Sequence, residues 1–407
     1  MNSKATIATQ PNLRVLAPLL AALAAIGPFS VDTYLPSFPD IGLALGASQL
    51  EVQQTLSAYL APFAFMILWH GALADALGRR RVILWNLLLY TVASLLCAFA
   101  TTIEMLWLGR AMQALGAGSG MVIGRAIVRD VLHDGPAVQR LMASVAVMFG
   151  LAPAVAPVIG GWIHDALGWR AVFGFLACYG AMLFAWSHRF LPETLPPQNR
   201  QSLHPALLAR SYLGVFSHGE FLMLSGALAL NFAAFFIYVL SAPVFLMQHL
   251  GLSPREFGWM FIPAVTGMMA GSLTSGRLAG KLSQRRTIAV AYAVMIAAAA
   301  LNVVINLSLP PGLPQSVLPI VIFNFGMALS MPSLSLLIID LLPRQRGLIS
   351  SCQGFTQTAA NALAAALIAP LLWASTPSLA LGMAALLACG LGLFALYSWR
   401  LRRSATA

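Results

Sequence analysis

Residues 71–81 read GALADALGRRR, and a related stretch, GRLAGKLSQRR, returns at residues 276–286. The two stretches agree at six of eleven positions, and each follows an apolar run long enough to cross a bilayer as a helix. Such a repeat predicts a membrane protein of two similar halves, an arrangement typical of transporters whose site lies between the halves. The second copy lacks the acidic residue and the second glycine, so we expect the first copy to carry more of the function.

The composition also indicates a membrane protein. Hydrophobic residues make up 59% of the chain and charged residues 9%, whereas a soluble globular protein is about 25% charged. The apolar runs are continuous and do not alternate, which predicts transmembrane helices and not barrel strands. We therefore expect an all-α polytopic membrane protein with twelve transmembrane helices in two six-helix halves. The expected spans are residues 15–36, 51–70, 82–100, 104–124, 138–161, 169–187, 219–241, 257–276, 287–307, 316–339, 347–372 and 379–399.

The polar segments give the expected domains and orientation. The longest polar interval divides the chain into an N-terminal half (1–190), a cytoplasmic linker (191–217) and a C-terminal half (218–407). With the N-terminus inside, every Lys and Arg falls on the cytoplasmic side except Arg110, Arg170 and Arg255. Basic residues favour cytoplasmic loops, so we expect both termini in the cytoplasm. The same rule accounts for the net charge of +11, so we expect no nucleic-acid partner.

Two charges lie inside the expected spans. Asp32 is near the end of an apolar run that begins at Val15, and a carboxylate is costly in lipid, so it is a functional candidate. Arg110 lies in span four, roughly 10 Å from the outer end, at a depth where it can pair with Asp32. Two alternatives stay open. Asp32 can be an interfacial residue that ends the helix before Pro36, and Arg110 can extend to the outer interface.

The first copy of the repeat is the most specific motif. Gly71 and Gly78 allow close approach of helices, and Asp75 can accept hydrogen bonds from a helix N-terminus or an arginine. We expect a gating loop here, with Arg125 and Arg129 as available partners for Asp75. Its remaining members are Arg79 and Arg80. The alternative is an ordinary basic loop with a tight turn.

Two further groups of residues are candidates. Span five carries small residues that favour close packing and prolines that bend a helix, at Gly150, Pro153, Pro157, Gly160 and Gly161. Aromatic and polar residues within spans can line a pocket for amphipathic ligands. They are Phe29, Tyr34, Tyr59, Phe63, Asn231, Phe235, Tyr238 and Asn324, of which Asn231, Phe235 and Tyr238 share one helix face. For each of these residues, packing or lipid contact is the alternative.

Several stretches resemble known motifs. Residues 71–81 resemble the signature loop of the major facilitator superfamily. Residues 31–36, 108–118 and 150–161 resemble the first-, fourth- and fifth-helix motifs of its twelve-span drug:proton antiporters, with Arg110 at the arginine position of the fourth-helix motif. The D-x-Y-L-P form, with residues 125–130 and 191–194, is most similar to the Bcr/CflA branch of bicyclomycin and chloramphenicol resistance exporters.

The resemblance implies a fold with a central cavity and a proton-coupled efflux of small drugs or antibiotics by alternating access. It implies that Asp32 and Arg110 take part in proton coupling and that span five is a seal and pivot. We expect a monomer in the bacterial inner membrane, with protons as coupling ion, no other cofactor, no metal and no enzyme activity. No nucleotide-binding motif occurs, so energy comes from an ion gradient. Alternatives are an exporter of a specific metabolite such as an amino acid, and a non-transporting membrane sensor.

Overall fold

The computed structural model describes residues 13–132 and 135–406, which are helical apart from short connections and one isolated bridge. The first half contains α1 (Leu13–Asp32), α2 (Phe38–Leu45), α3 (Gln49–Leu77), α4 (Arg79–Ala98), α5 (Ile103–Ala117), α6 (Ser119–Val131), α7 (Gly135–Leu167) and α8 (Trp169–Phe190). The linker contains α9 (Pro205–Phe216). The second half contains α10 (Gly219–Leu240), α11 (Gly258–Leu278), α12 (Gln284–Ser308), α13 (Leu318–Asp340), α14 (Arg346–Leu363), α15 (Ala369–Leu372) and α16 (Thr376–Thr406).

Eleven segments of the described residues are long and apolar enough to cross a membrane. The remaining long helix, α11, has 21 residues, but glycine, serine and threonine make its second half less apolar. It packs against α7 and α13 within the bundle, so it takes the place of the twelfth span. The architecture is thus the all-α polytopic one expected from the sequence. Twelve alternating spans bring the start of α1 and the end of α16 to one end of the bundle, here named the terminal end; the other is the distal end.

The first span is longer than predicted. α1 ends at Asp32, but a 3₁₀ turn (Leu35–Ser37) and α2 continue it, so the apolar segment covers Leu13–Leu45 instead of 15–36. Pro36 does not end the segment, because it lies in the first turn of the 3₁₀ helix, where its missing N–H removes no bond. Asp32 is therefore the last residue of α1 but lies inside the longer apolar segment, and its depth in the membrane stays a prediction.

The second span also extends further than predicted. α3 continues to Leu77, so Gly71 and Asp75 lie on its last two turns and not in a loop. Gly71 does not stop the helix, since a single glycine only lowers helix propensity. The connection to α4 is Gly78 alone, with φ of 102° and ψ of 145°, a conformation that residues with a side chain rarely adopt.

Two very close helix contacts hold the first span. Gly160 of α7 lies against the backbone of Thr33, and Gly120 of α6 lies against the backbone of Leu23. A methyl group at either glycine would overlap a backbone carbonyl oxygen. Small residues permit this approach, which contributes packing energy where lipid supplies no hydrophobic drive. The segment that carries Asp32 is thus fixed to α6 and α7.

The two halves meet where α3 packs against α14 and α7 packs against α11. Polar contacts join them near the distal end. The Asp165 carboxylate pairs with the Arg255 guanidinium, and Gln54 Nε2 donates to the backbone oxygen of Ala366 at 3.2 Å. Ala366 belongs to a π-helical turn (Ala364–Ile368) that follows α14. The distal ends of the halves are therefore in direct contact.

The linker helix α9 lies over the junction between α3 and α14 at the terminal end. The Tyr212 hydroxyl donates to the backbone oxygen of Leu68 on α3 at 2.6 Å, while the Phe216 ring packs edge-on against Phe355 of α14, 5.6 Å between centroids. Burial, and secondarily the nearby Cys352 thiol, raises the pKa of Tyr212 to about 12. The hydroxyl therefore stays protonated and donates throughout the physiological pH range.

Candidate functional site

Arg110 of α5 is completely buried inside the first half. Its guanidinium carbon lies 4.3 Å from the ring centroids of both Tyr34 and Tyr59, and Nη1 donates to Gln113 Oε1 at 2.7 Å. In the part of the chain that the structure describes, Nε and Nη2 have no hydrogen-bond partner. Two aromatic faces and one neutral amide therefore balance this charge in a dry environment. The alternative in which Arg110 extends to the interface does not hold.

Hydrogen bonds fix the groups around Arg110. The Gln113 amide accepts from Arg110 and donates to Ser94 Oγ at 2.7 Å, so its orientation is determined. The Tyr34 hydroxyl lies 2.8 Å from Thr55 Oγ1, and the Thr55 hydroxyl donates to a backbone oxygen, so Tyr34 is the donor. Gln113, Ser94 and Thr55 were not predicted from the sequence as site residues. The signal for Gln113 was its position three residues after Arg110, on the same helix face.

Asp32 is only 4% exposed at the C-terminal end of α1. Among residues 13–132 and 135–406 its carboxylate forms neither a hydrogen bond nor an ion pair. The hypothesis of a direct pair with Arg110 is therefore not met in this structure. The first half instead holds two buried ionisable side chains whose opposite charges are separate.

Arg79 is the centre of the predicted gating motif. Its guanidinium contacts the Asp75 carboxylate, and its Nε lies 3.3 Å from Asp130 Oδ2. The Thr194 hydroxyl donates to the same Asp130 oxygen at 2.8 Å. The Arg79 guanidinium thus connects the ends of α3 and α6, and Asp130 connects α6 to the start of the linker. Charge-assisted bonds of this kind are stronger than neutral ones.

The linker also caps α4. The Glu193 carboxylate accepts the backbone N–H of Arg79 at 2.9 Å, in place of a capping side chain at Gly78. A methyl group at Gly78 would overlap this carboxylate, so the close approach needs glycine. At the equivalent position of the repeat, Ser283 caps its own helix by accepting from the Arg286 N–H at 3.3 Å. The first copy therefore depends on the linker and the second does not.

The predicted partners of Asp75 require a correction. Arg125 and Arg129 are exposed on α6, and neither forms an ion pair within the described residues. Asp75 pairs with Arg79 instead, across the one-residue turn at Gly78. Arg80, also predicted in this motif, donates from Nη2 to the backbone oxygen of His188 at 2.7 Å. Asp130 and Glu193 were not predicted as members, although residues 125–130 and 191–194 both resemble family motifs.

The glycines of the fifth-span motif lie between two neighbours. Gly160 faces Thr33 in the first half, while Gly161 lies against the backbone of Pro254, at the turn before α11 in the second half. Gly150, near the middle of α7, has more space, since a methyl group there would be 4.0 Å from a methionine of α11. The prolines of the motif, Pro153 and Pro157, are inside α7. The double glycine therefore lies at the contact between the halves.

The aromatic candidates of the first half gather around Arg110. Tyr34 and Tyr59 cover the guanidinium, and Phe63 stacks on Tyr59 with 5.6 Å between centroids. Phe29 stacks on Tyr179 of α8 with 5.4 Å between centroids. Phe63 and Phe29 are partly exposed. Their contact with a transported ligand stays a prediction.

The polar candidates of the second half are engaged in helix packing. Asn231 and Tyr238 share a face of α10 as predicted, and that face hydrogen-bonds to side chains of α12 at 2.9 and 2.7 Å. Asn324 donates to a backbone oxygen of α11 at 3.2 Å. Phe235 is 9% exposed and packs edge-on against Phe232. A role of these four residues in a substrate cavity also stays a prediction.

Comparison with known proteins identifies the family. The sequence profile of the Major Facilitator Superfamily matches residues 20–365. A bicyclomycin resistance protein homolog from Haemophilus influenzae is 28% identical over 68% of this chain and 69% of its own length. A chloramphenicol resistance protein from Pseudomonas aeruginosa is 30% identical over 70% of this chain and 66% of its own.

The fold matches solved transporters. The crystal structure of the human organic anion transporter MFSD10 superposes with a TM-score of 0.69 at 18% identity, over 95% of this chain and all of that one. At this identity the match establishes the fold alone. The family match confirms that the chain is a multi-pass membrane protein. It also confirms that the chain is a transporter and not an enzyme. The chain therefore belongs to the Major Facilitator Superfamily, with relatives named for bicyclomycin and chloramphenicol resistance.

Proposed function

We propose that this chain exports small amphipathic drugs or antibiotics from the cytoplasm in exchange for protons, by alternating access. The names of its relatives support drug export. The observation that carries the proton-coupled part is the pair of separate buried charges in the first half, Asp32 and Arg110. Ionisable groups in a membrane interior are costly and mark ion or proton pathways.

The physical basis is the cost of an unpaired carboxylate. A protonated Asp32 is neutral and fits this largely buried position, whereas the anion would have no compensating hydrogen bond or ion pair among the described residues. Loss of the proton therefore favours a different arrangement, in which Asp32 is hydrated or lies closer to Arg110. Because two donor nitrogens of Arg110 have no partner among the described residues, Arg110 can bind such a carboxylate without breaking its bond to Gln113. Proton binding and release would thus shift the balance between two states.

The contacts between the halves support alternating access. The halves touch at the distal end, while Arg79 holds the α3–α4 turn to the linker at the terminal end. In the proposed cycle the distal contacts open when the terminal ends close. Both termini are proposed to lie in the cytoplasm, so that the distal end faces outward.

The test uses inverted membrane vesicles with an imposed pH gradient. Asp32→Asn removes the titratable group with little change in shape, and we expect it to abolish drug-dependent proton movement. Glu104→Gln, an exposed acid in the first turn of α5, is the matched control and keeps it. Retention of drug-dependent proton movement in Asp32→Asn would remove Asp32 from the coupling mechanism.

The substrate class has a separate test. Cells with and without overexpression are compared on a panel of unrelated antibiotics. Raised resistance to several amphipathic compounds supports drug export. Transport of one metabolite with micromolar saturation, and no change in resistance, would replace drug export by metabolite export in the same fold.

A further inference from the structure

An open, shallow groove of about 370 Å³ lies at the terminal end of the first half, beside the turn between α3 and α4. It is formed where α4 begins and α8 ends, and its lining includes Arg80, His188, Arg189 and Phe190. Arg80 Nη2 donates to the His188 backbone oxygen at 2.7 Å, which joins the two helices in the lining of the groove. The Arg189 guanidinium lies over the Phe190 ring, 5.1 Å from its centroid. The groove is thus built from basic side chains on an aromatic support.

The groove carries a net positive charge. Arg80 and Arg189 contribute two charges, and the one acidic residue of the lining is Glu193. The Glu193 carboxylate already accepts the N–H groups of Arg79 and Leu195, at 2.9 and 3.1 Å. The Arg80 guanidinium has five N–H donors and makes one hydrogen bond among the described residues. An anion in the groove would meet donors that the protein leaves available.

An exposed apolar surface runs along α4, the helix whose first turn borders the groove. Large exposed side chains recur there every three or four residues, at Trp85, Leu88, Val92, Leu95 and Phe99. This spacing places them on one helix face. Phe190, at the end of α8, is 50% exposed beside the groove. A ligand with a charged head at the helix ends and long hydrocarbon tails along α4 would match both surfaces.

We propose that this groove binds the headgroup of an anionic phospholipid from the leaflet at the terminal end. The phosphodiester bonds to Arg80 and Arg189, and the acyl chains lie on the apolar face of α4. Arginine is well suited to such a group, because its planar donors match phosphate oxygens. The site is next to Arg79, so the bound lipid also supports the turn that joins α3 to α4.

The test measures lipid binding to the full-length protein by native mass spectrometry after purification in neutral detergent. Phosphatidylglycerol is compared with phosphatidylcholine that has the same acyl chains. We expect phosphatidylglycerol to bind more tightly, and its Kd to rise about fivefold for each arginine removed. Arg80→Gln/Arg189→Gln is the main variant. Arg189→Gln alone keeps the bond from Arg80 to His188, so it tests the proposal even if the double variant folds poorly.

The matched control is Arg285→Gln/Arg286→Gln, since both arginines are exposed at the equivalent turn of the repeat. This variant should bind phosphatidylglycerol as the unchanged protein does. Equal affinity for the two lipids, or unchanged phosphatidylglycerol binding in both groove variants, would overturn the proposal. Displacement of the lipid by inorganic phosphate at equal concentration would also overturn it, because the site would then recognise a soluble anion.

Discussion

Arg110 has an unusual environment for a charge in a membrane protein. Its positive charge faces two tyrosine rings and one amide, with no carboxylate in contact among the described residues. Such an arrangement needs a planar cation, because a guanidinium can stack on both rings while its edge still donates to Gln113. The geometry therefore selects arginine over lysine, even though both carry the same charge.

Arg110→Lys tests this selection. We expect lysine to lose the stacking on Tyr34 and Tyr59, at a cost of about 2 kcal/mol, and drug transport to fall at least tenfold at normal expression. Transport is measured as drug efflux from loaded cells. The matched control is Arg170→Lys, where an exposed arginine stacks on Trp169 at 4.2 Å. Full activity in Arg110→Lys would show that charge alone is required.

Gly78 provides a second prediction at this scale. Gly78→Ala requires a backbone conformation that alanine rarely adopts and overlaps the Glu193 carboxylate, so we expect a loss of about 1–3 kcal/mol. The thermal unfolding midpoint of the purified protein is the measurement. Gly174→Ala, in α8 with open space around it, should leave the midpoint unchanged or raise it. Equal midpoints for the two variants would contradict the prediction.

At the scale of elements, the helices were largely predictable and their partners were not. Long apolar runs give the spans, because lipid requires backbone groups to be satisfied within each helix. Periodicity correctly placed Asn231 and Tyr238 on one face, but it does not say which helix that face meets, and the face packs on α12. Asp75 likewise had several arginines nearby in sequence, and only the turn at Gly78 makes Arg79 its partner.

The glycine contacts of α7 lead to a prediction about helix packing. Gly160→Ala would place a methyl group against the Thr33 carbonyl, so α1 and α7 must separate, at a cost of about 1–3 kcal/mol or more. Gly150→Ala adds an ordinary contact with Met268 and improves helix propensity. We expect a lower unfolding midpoint for the first variant only. A similar decrease for both would mean that α7 needs glycine for flexibility and not for close approach.

At the scale of the whole molecule, the Asp165–Arg255 contact joins the halves at the distal end. Both residues are exposed, 40% and 60% respectively, so the pair itself contributes little energy and can open readily. Its value lies in its position, next to the contact of Gly161 with Pro254. Alternating access requires these surfaces to part in each cycle.

Cross-linking tests this requirement. Asp165→Cys/Arg255→Cys, in a chain with the four native cysteines replaced, is treated with a short bifunctional thiol reagent that a reductant can cleave. We expect the cross-link to stop drug efflux and reduction to restore it. Each single-cysteine variant, treated in the same way, should keep its activity. Efflux that continues at full rate after complete cross-linking would show that the distal ends do not separate.

The different caps of the repeated turn have a consequence for dividing the protein into two polypeptides. The α11–α12 turn contains its own capping serine, so a separately made second half retains everything this turn needs. The α3–α4 turn takes Glu193 and Thr194 from beyond the end of α8, and the Gln201 N–H donates to the Asp75 carbonyl at 3.1 Å. A split after Phe190 would leave the first fragment with an incomplete turn. A split after Gln201 would let each fragment fold with its turn intact before the two assemble.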